Sequence, residues 1–72
     1  MILSHINVIT SGGELKSIFA TEEINRFRPS EVMLEQARKI VKERYPDYRS
    51  AILVLENYDQ CGDNTKSNIV KL

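Results

Sequence analysis

The chain lacks the residues from which small proteins build covalent or metal cross-links. It has 72 residues, of which one is a cysteine, one is a histidine and none is a tryptophan. Cys61 alone cannot form a disulfide within the chain, and with His5 it gives two of the four ligands that a structural zinc site needs. A domain this short buries only about 60% of its unfolded surface. We therefore expect a homodimer or a larger protein partner to supply further stabilisation.

An excess of charge of either sign is missing as well. Ten basic and ten acidic residues balance, so little of the counterion release that drives non-specific nucleic-acid binding is available. The longest apolar run, 51–55, is far shorter than the about 20 residues that cross a bilayer. The start, residues 1–5, has neither the basic nor the long apolar region of a signal peptide. Together with a free thiol, these features predict a cytoplasmic protein.

No motif for catalysis, phosphate binding or calcium binding is present. Ser11-Gly12-Gly13 is followed by a predicted strand instead of the Gly-Lys-Ser/Thr and helix of a phosphate loop. In the segment 59–64, Cys61 occupies a calcium-ligand position, and Val70 stands where the bidentate glutamate belongs. A pair of His5 as base and Cys61 as nucleophile lacks a third, orienting group. We expect no enzyme activity, no cofactor and no metal.

Alternating apolar residues predict two antiparallel strands at the N-terminus. Ile2 to Thr10 has Ile2, Ile6 and Val8 on one face, with Leu3 and Ile9 on the other. The segment 11–14 contains two glycines suited to a hairpin turn, and Leu15 to Thr21 is the predicted return strand. The segment 22–28 fits either a short helical turn or a continuation of that strand.

The segment Glu31 to Tyr45 has the period of an amphipathic helix. Pro29 suits the first turn, and Ser30 is the predicted N-cap. The apolar positions share one face at about 100° per residue: they are Met33, Leu34, Ala37, Ile40, Val41 and Tyr45.

The last third predicts a central strand followed by a less regular end. Ala51 to Tyr58 is apolar on both faces, which is typical of a central strand. The segment 59–67 is a flexible loop by composition, and 68–72 is either a short fourth strand or a frayed tail. The predicted fold is a single α+β domain over 1–72, of ββαβ(β) order, with one helix packed on one face of a small sheet.

One helix is too narrow to cover both faces of this sheet, and that imbalance motivates the functional prediction. We expect a small interaction or regulatory protein of bacterial or phage type, which binds another protein through the uncovered face or through a strand edge. The predicted interface residues are Leu3, His5, Ile9 and Tyr58.

A nucleic-acid-binding domain is the alternative. It would use four residues from the densest basic set of the chain, which are Arg26, Arg28, Lys39 and Lys42. Acidic residues interleave with the cations on the predicted helix, as on an ordinary solvated face. No motif in the chain is specific enough to assign a family.

Overall fold

A computed structural model of the chain describes residues 1–19 and 27–72. The strands β1 (Ile2–Ile9) and β2 (Leu15–Phe19) precede one helix, α1 (Glu31–Arg44), and β3 (Ser50–Tyr58) and β4 (Asn64–Lys71) follow it. The sheet order is β2-β1-β3-β4, and every neighbouring pair is antiparallel. The predicted α+β class, with one helix on one sheet face, is confirmed. The end of the predicted return strand and most of the segment 22–28 lie outside the described residues.

The β1–β2 hairpin places its apolar residues in register. Gly13 adopts a φ of 84°, a conformation that glycine takes without a steric cost. The Thr10 amide donates to the Glu14 carbonyl over 2.9 Å and closes the turn. As a result Ile6 lies opposite Ile18, and Ile9 lies opposite Leu15.

Strand β3 is central, as its apolar run predicts. It pairs with β1 along its whole length and with β4 on its other side. Leu53 and Leu55 are buried on the face beneath the helix, whereas Val54 is buried on the opposite face. A strand paired on both edges has no free backbone groups, so its side chains alone decide what it contacts.

Helix α1 begins where the sequence predicts. The Ser30 hydroxyl accepts a hydrogen bond from the Met33 amide over 3.2 Å, which satisfies one of the unpaired donors of the first turn. Ala37 and Val41 are buried against the sheet. Ile40 lies at the margin of the apolar stripe and is 38% exposed. The helix ends at Arg44, and Tyr45 is its C-cap.

The core lies between α1 and one face of the sheet. Its members are small or medium aliphatic residues, which suits the close approach of a helix to a sheet. They are Ile6, Val8, Ile18, Ala37, Val41, Ala51, Leu53 and Leu55.

The β3–β4 connection is shorter than the sequence predicts. The predicted loop over 59–67 is wrong in its second half, because Asn64 is the first residue of β4. The turn is tight, since the Asp59 carboxylate accepts the amides of Cys61 and Asp63 over 2.9 and 3.0 Å. The polar composition of 64–67 is compatible with a strand because β4 lies at the sheet edge, where most side chains are exposed.

The end of the chain is ordered by pairing with β3. Strand β4 continues to Lys71, and the Leu72 amide donates to the Ala51 carbonyl over 2.9 Å. Of the two alternatives predicted for 68–72, the fourth strand is therefore confirmed and the frayed tail is wrong. Over 1–19 and 27–72, no helix has the length and apolar character to cross a membrane.

Candidate functional site

The sheet face opposite α1 is the candidate functional site, and we call it the open face. Side chains alternate between the faces of a strand, so it consists of alternate residues in four stretches. These are Leu3 to Ile9 of β1, Leu15 to Phe19 of β2, Ser50 to Tyr58 of β3 and Ser67 to Lys71 of β4. Asn64 joins it through a hydrogen bond to Glu56. No other helix or strand in the described part of the chain packs on this face.

Large apolar side chains stand exposed on both edges of the open face. On β2, Phe19 is 75% exposed and Leu15 is 64% exposed, and on β4, Ile69 is 62% exposed. Leu3 on β1 is 37% exposed. Several large apolar side chains exposed on one face of a small protein indicate a candidate interaction site.

A single row of side chains runs across the open face from edge to edge. The strand registers place His5 between Phe19 and Val54, and Val54 in turn lies beside Ile69. The rings of His5 and Phe19 are 5.9 Å apart between centroids and tilted by 39°. Val54 at the centre is only 7% exposed, so its neighbours on this face shield it without help from the helix.

A polar cluster interrupts the apolar surface beside this row. The Glu56 carboxylate is 3.2 Å from His5 Nδ1 and accepts a hydrogen bond of 2.8 Å from the Asn64 side-chain amide. It also accepts a hydrogen bond from the Tyr58 hydroxyl. Two donors, from β3 and β4, therefore hold one carboxylate that also lies close to the His5 ring of β1.

The environment of Tyr58 keeps its phenol protonated. The hydrogen bond to Glu56 is the largest cause, followed by desolvation and by the negative charge of Glu56, and together they raise the pKa of Tyr58 above its ordinary value of 10.0. A phenol with a raised pKa is a poor base near neutral pH. Tyr58 therefore serves as a hydrogen-bond donor in this cluster.

The geometry of the cluster favours a positional role over a chemical one. Glu56 already accepts hydrogen bonds from Tyr58 and Asn64 and lies 3.2 Å from His5 Nδ1, so both of its oxygens have a close polar neighbour. The exposed Cys61 lies in the β3–β4 turn. Val54, which pairs with His5, is four residues from the end of β3, so the turn begins roughly 13 Å away along the strand. The structure therefore does not bring His5 and Cys61 together.

The described residues offer no preformed metal site. Over 1–19 and 27–72, no group of three or more His, Cys, Asp or Glu side chains is placed to hold an ion. In the polar cluster itself, Glu56 and His5 are the two groups of these types, and each is engaged with the other.

All four residues predicted for a protein interface lie on the open face. Leu3 and Ile9 occupy the two ends of β1, His5 lies between them, and Tyr58 ends β3. His5 and Tyr58 meet at the same carboxylate. Leu3 is partly exposed and Ile9 is half-buried beside Leu15.

The residues of the nucleic-acid alternative that the structure describes lie partly on α1 and partly ahead of it. Lys39 and Lys42 lie on the solvent side of α1 beside a shallow depression of about 420 Å³ that Arg38, Glu35 and Glu43 also line. Arg28 is exposed ahead of the helix, and the first helical residue, Glu31, lies about 12 Å from Lys39 along the helix axis at 1.5 Å per residue. Arg26 lies outside the described residues.

Sequence reasoning missed two components of the site. The exposure of Ile69 on this face was not predicted, because 68–72 could be either a fourth strand or a frayed tail, and only a strand assigns Ile69 to a face. The role of Glu56 was not predicted either, since its donors come from β1 and β4 and meet it only through the strand registers. Leu15 and Phe19 share one face in the sequence pattern, and that alternation is the signal that places them on the open face.

The fold and this face together define a small α+β domain whose antiparallel sheet has one covered and one open side. Comparison of the chain with protein-family models, with curated proteins and with solved structures gives no match.

Proposed function

We propose that this chain is a small, non-enzymatic interaction protein whose open face binds the surface of another protein chain. The observation that carries the proposal is the exposure of Phe19, Leu15 and Ile69 on a sheet face that the helix does not cover. Removal of such surface from water is favourable by roughly 25 cal/mol per Å² of apolar area. A partner that covers the face gains this free energy, whereas the isolated chain does not.

Binding through the face is better supported than binding through a strand edge. Both edge strands carry lysines: Lys16 lies on β2, and Lys66 and Lys71 lie on β4. Edge lysines oppose the addition of a further strand, because pairing would crowd or desolvate their charges. Lys66 is also held on the edge, with its Nζ 4.9 Å from the centroid of the Phe27 ring.

No specific observation favours the nucleic-acid alternative. Lys39 and Lys42 share their surface with Glu35 and Glu43, which offset the cationic field that would attract phosphates. Aromatic stacking partners for bases are another common feature of such sites. Phe19 lies instead on the open face, on the side of the sheet opposite the helix.

The proposal includes a regulatory role in the cytoplasm of a bacterium or of a phage-infected cell. The exposed thiol of Cys61 fits a reducing compartment. A small domain without a reaction of its own acts through the protein that it binds. The open face is the surface that would be buried in that complex.

The test compares two double variants that add the same charge. Leu15→Lys with Phe19→Lys places two cations on the open face, whereas Val32→Lys with Gln36→Lys places them on exposed positions of α1. The immobilised proteins are incubated with bacterial extract, and self-association is measured by sedimentation.

We expect the wild type and the α1 variant to bind a protein partner or to self-associate. The open-face variant should lose that association, because the lysine charges would have to be desolvated in the complex. Equal behaviour of the wild type and the open-face variant in both assays would contradict the proposal.

A further inference from the structure

We infer that the occupant of the open face is a second copy of this chain, packed sheet against sheet. The inference rests on the proposed function and names the partner of the same surface. Three properties of the open face carry it: its charge balance, its dimensions and the composition of its central row.

The charges of the open face are compatible with a copy of itself. Glu56 supplies one negative charge and Lys71 one positive charge. A face without a dominant sign neither repels its own copy nor selects a strongly charged partner. The Glu56 carboxylate also carries its own donors, Tyr58 and Asn64. It can therefore be covered without becoming an unpaired buried charge.

The dimensions of the open face match another sheet of the same size. Four strands of up to eight or nine residues, spaced by about 4.8 Å and rising about 3.3 Å per residue, form a footprint of roughly 500 Å². Two such footprints remove about 1,000 Å² or more of surface, which is the lower bound for a specific interface. A single helix from a partner, about 10 Å wide, would leave one exposed edge of the face uncovered.

Three of the four residues in the row across the open face are apolar, namely Phe19, Val54 and Ile69, which suits sheet-on-sheet packing. Phe19 and Ile69 are mostly exposed at opposite edges of the sheet, while Val54 between them is nearly buried. In packed sheets the inner side chains interdigitate into a layer about 10 Å thick. In the dimer, the sheet of each copy therefore covers the open face of the other. The complex has four layers, with the two sheets inside and the two helices outside.

The experiment measures the dissociation constant of the wild type by sedimentation equilibrium. Phe19→Lys with Ile69→Lys should weaken the dimer at least about tenfold, because four lysines would face one another across the interface. Val32→Lys with Gln36→Lys on α1 should leave the dissociation constant unchanged. Both open-face residues are mostly exposed, so circular dichroism of the variant should match that of the wild type.

A second measurement locates the interface directly. In a mixture of isotope-labelled and unlabelled chains, magnetisation transfer between copies should reach the methyl groups of Ile69 and Val54. Transfer confined to methyl groups of α1, such as those of Val32, would overturn the inference.

The outcomes separate this inference from the proposed function. The wild type could stay monomeric at millimolar concentration and still bind a different protein that the Leu15→Lys, Phe19→Lys variant does not bind. That result would overturn the inference of a second copy and support the proposed function. A wild type that is monomeric and captures nothing overturns both. Dimerisation that Phe19→Lys with Ile69→Lys does not weaken also overturns the inference.

Discussion

Truncation of two leucines in different surroundings tests the division of the sheet into a covered and an open face. Leu55 is fully buried beneath α1, whereas Leu15 is 64% exposed on the open face. The change Leu→Ala is chemically the same at both positions, so any difference in the free energy of unfolding reports on the surroundings. We expect Leu55→Ala to be strongly destabilising and Leu15→Ala to be nearly neutral in the monomer.

The magnitude follows from burial. Removal of three buried carbons from Leu55 costs roughly 0.8 kcal/mol each in transfer free energy, and the cavity that remains adds to this, for a total of about 3 kcal/mol. A domain of this length is stable by about 4 to 11 kcal/mol. The Leu55→Ala variant should therefore retain the fold with a much smaller margin. Leu15→Ala should cost about 0.5 kcal/mol, chiefly through lower strand propensity.

Urea unfolding followed by far-ultraviolet circular dichroism is the appropriate assay, because the chain has no tryptophan to report by fluorescence. With a denaturant dependence of about 1 kcal/mol per molar, the midpoint for Leu55→Ala should fall by roughly 3 M. Low protein concentration keeps the measurement on the monomer. Similar midpoints for Leu55→Ala and Leu15→Ala would refute the assignment of the two faces.

Three further substitutions test the helix cap, the β3–β4 turn and the polar cluster. Ser30→Ala should lower the free energy of unfolding by about 1 kcal/mol through loss of the N-cap, while Ser30→Asp should retain most of the stabilisation by the cap. The urea midpoints of the two variants and the wild type test this. Gly62→Ala should cost about 1 to 2 kcal/mol, because Gly62 has a φ of 84°, whereas Gly12→Ala, which meets only Thr10 Oγ1 at 3.9 Å, should cost less than half as much. Glu56→Gln should lower the pKa of Tyr58 toward 10, measured by tyrosinate absorbance against Tyr58→Phe. Because the pKa of Tyr58 is raised in the folded state, the stabilisation from its hydrogen bond to Glu56 is present below about pH 10 and is lost as pH rises through the folded pKa. An unchanged pKa of Tyr58 in the Glu56→Gln variant would count against this hydrogen bond.

Features with a local cause were predictable from the sequence. Alternation placed Leu3 and Ile9 on the face opposite Ile6, and the glycines after Thr10 indicated the hairpin. Ser30 before an amphipathic run indicated the helix start, and the structure shows its hydroxyl in that role. These predictions hold because each depends on residues within a few positions of one another.

Features that depend on strand registers were not predictable. The segment 64–67 has a loop composition, yet it pairs with the end of β3 across a bulge at Asn57 and Tyr58. An edge strand with most of its side chains in water shows no apolar alternation over that stretch, so periodicity does not reveal it. The meeting of His5 and Asn64 at Glu56 is likewise set by two registers, between residues separated by as many as 59 positions.

The polar cluster limits how the open face can associate. A uniformly apolar face would bind many surfaces, including unfolded chains. Glu56 adds a carboxylate that can be covered only while Tyr58 and Asn64 keep their hydrogen bonds to it and His5 stays beside it. Loss of these neighbours would leave a buried charge at a cost of several kcal/mol. A partner surface must therefore fit around the cluster without displacing its donors. In the proposed complex, the exposed apolar side chains at the edges would supply free energy of binding, and the cluster would restrict which surfaces can bind.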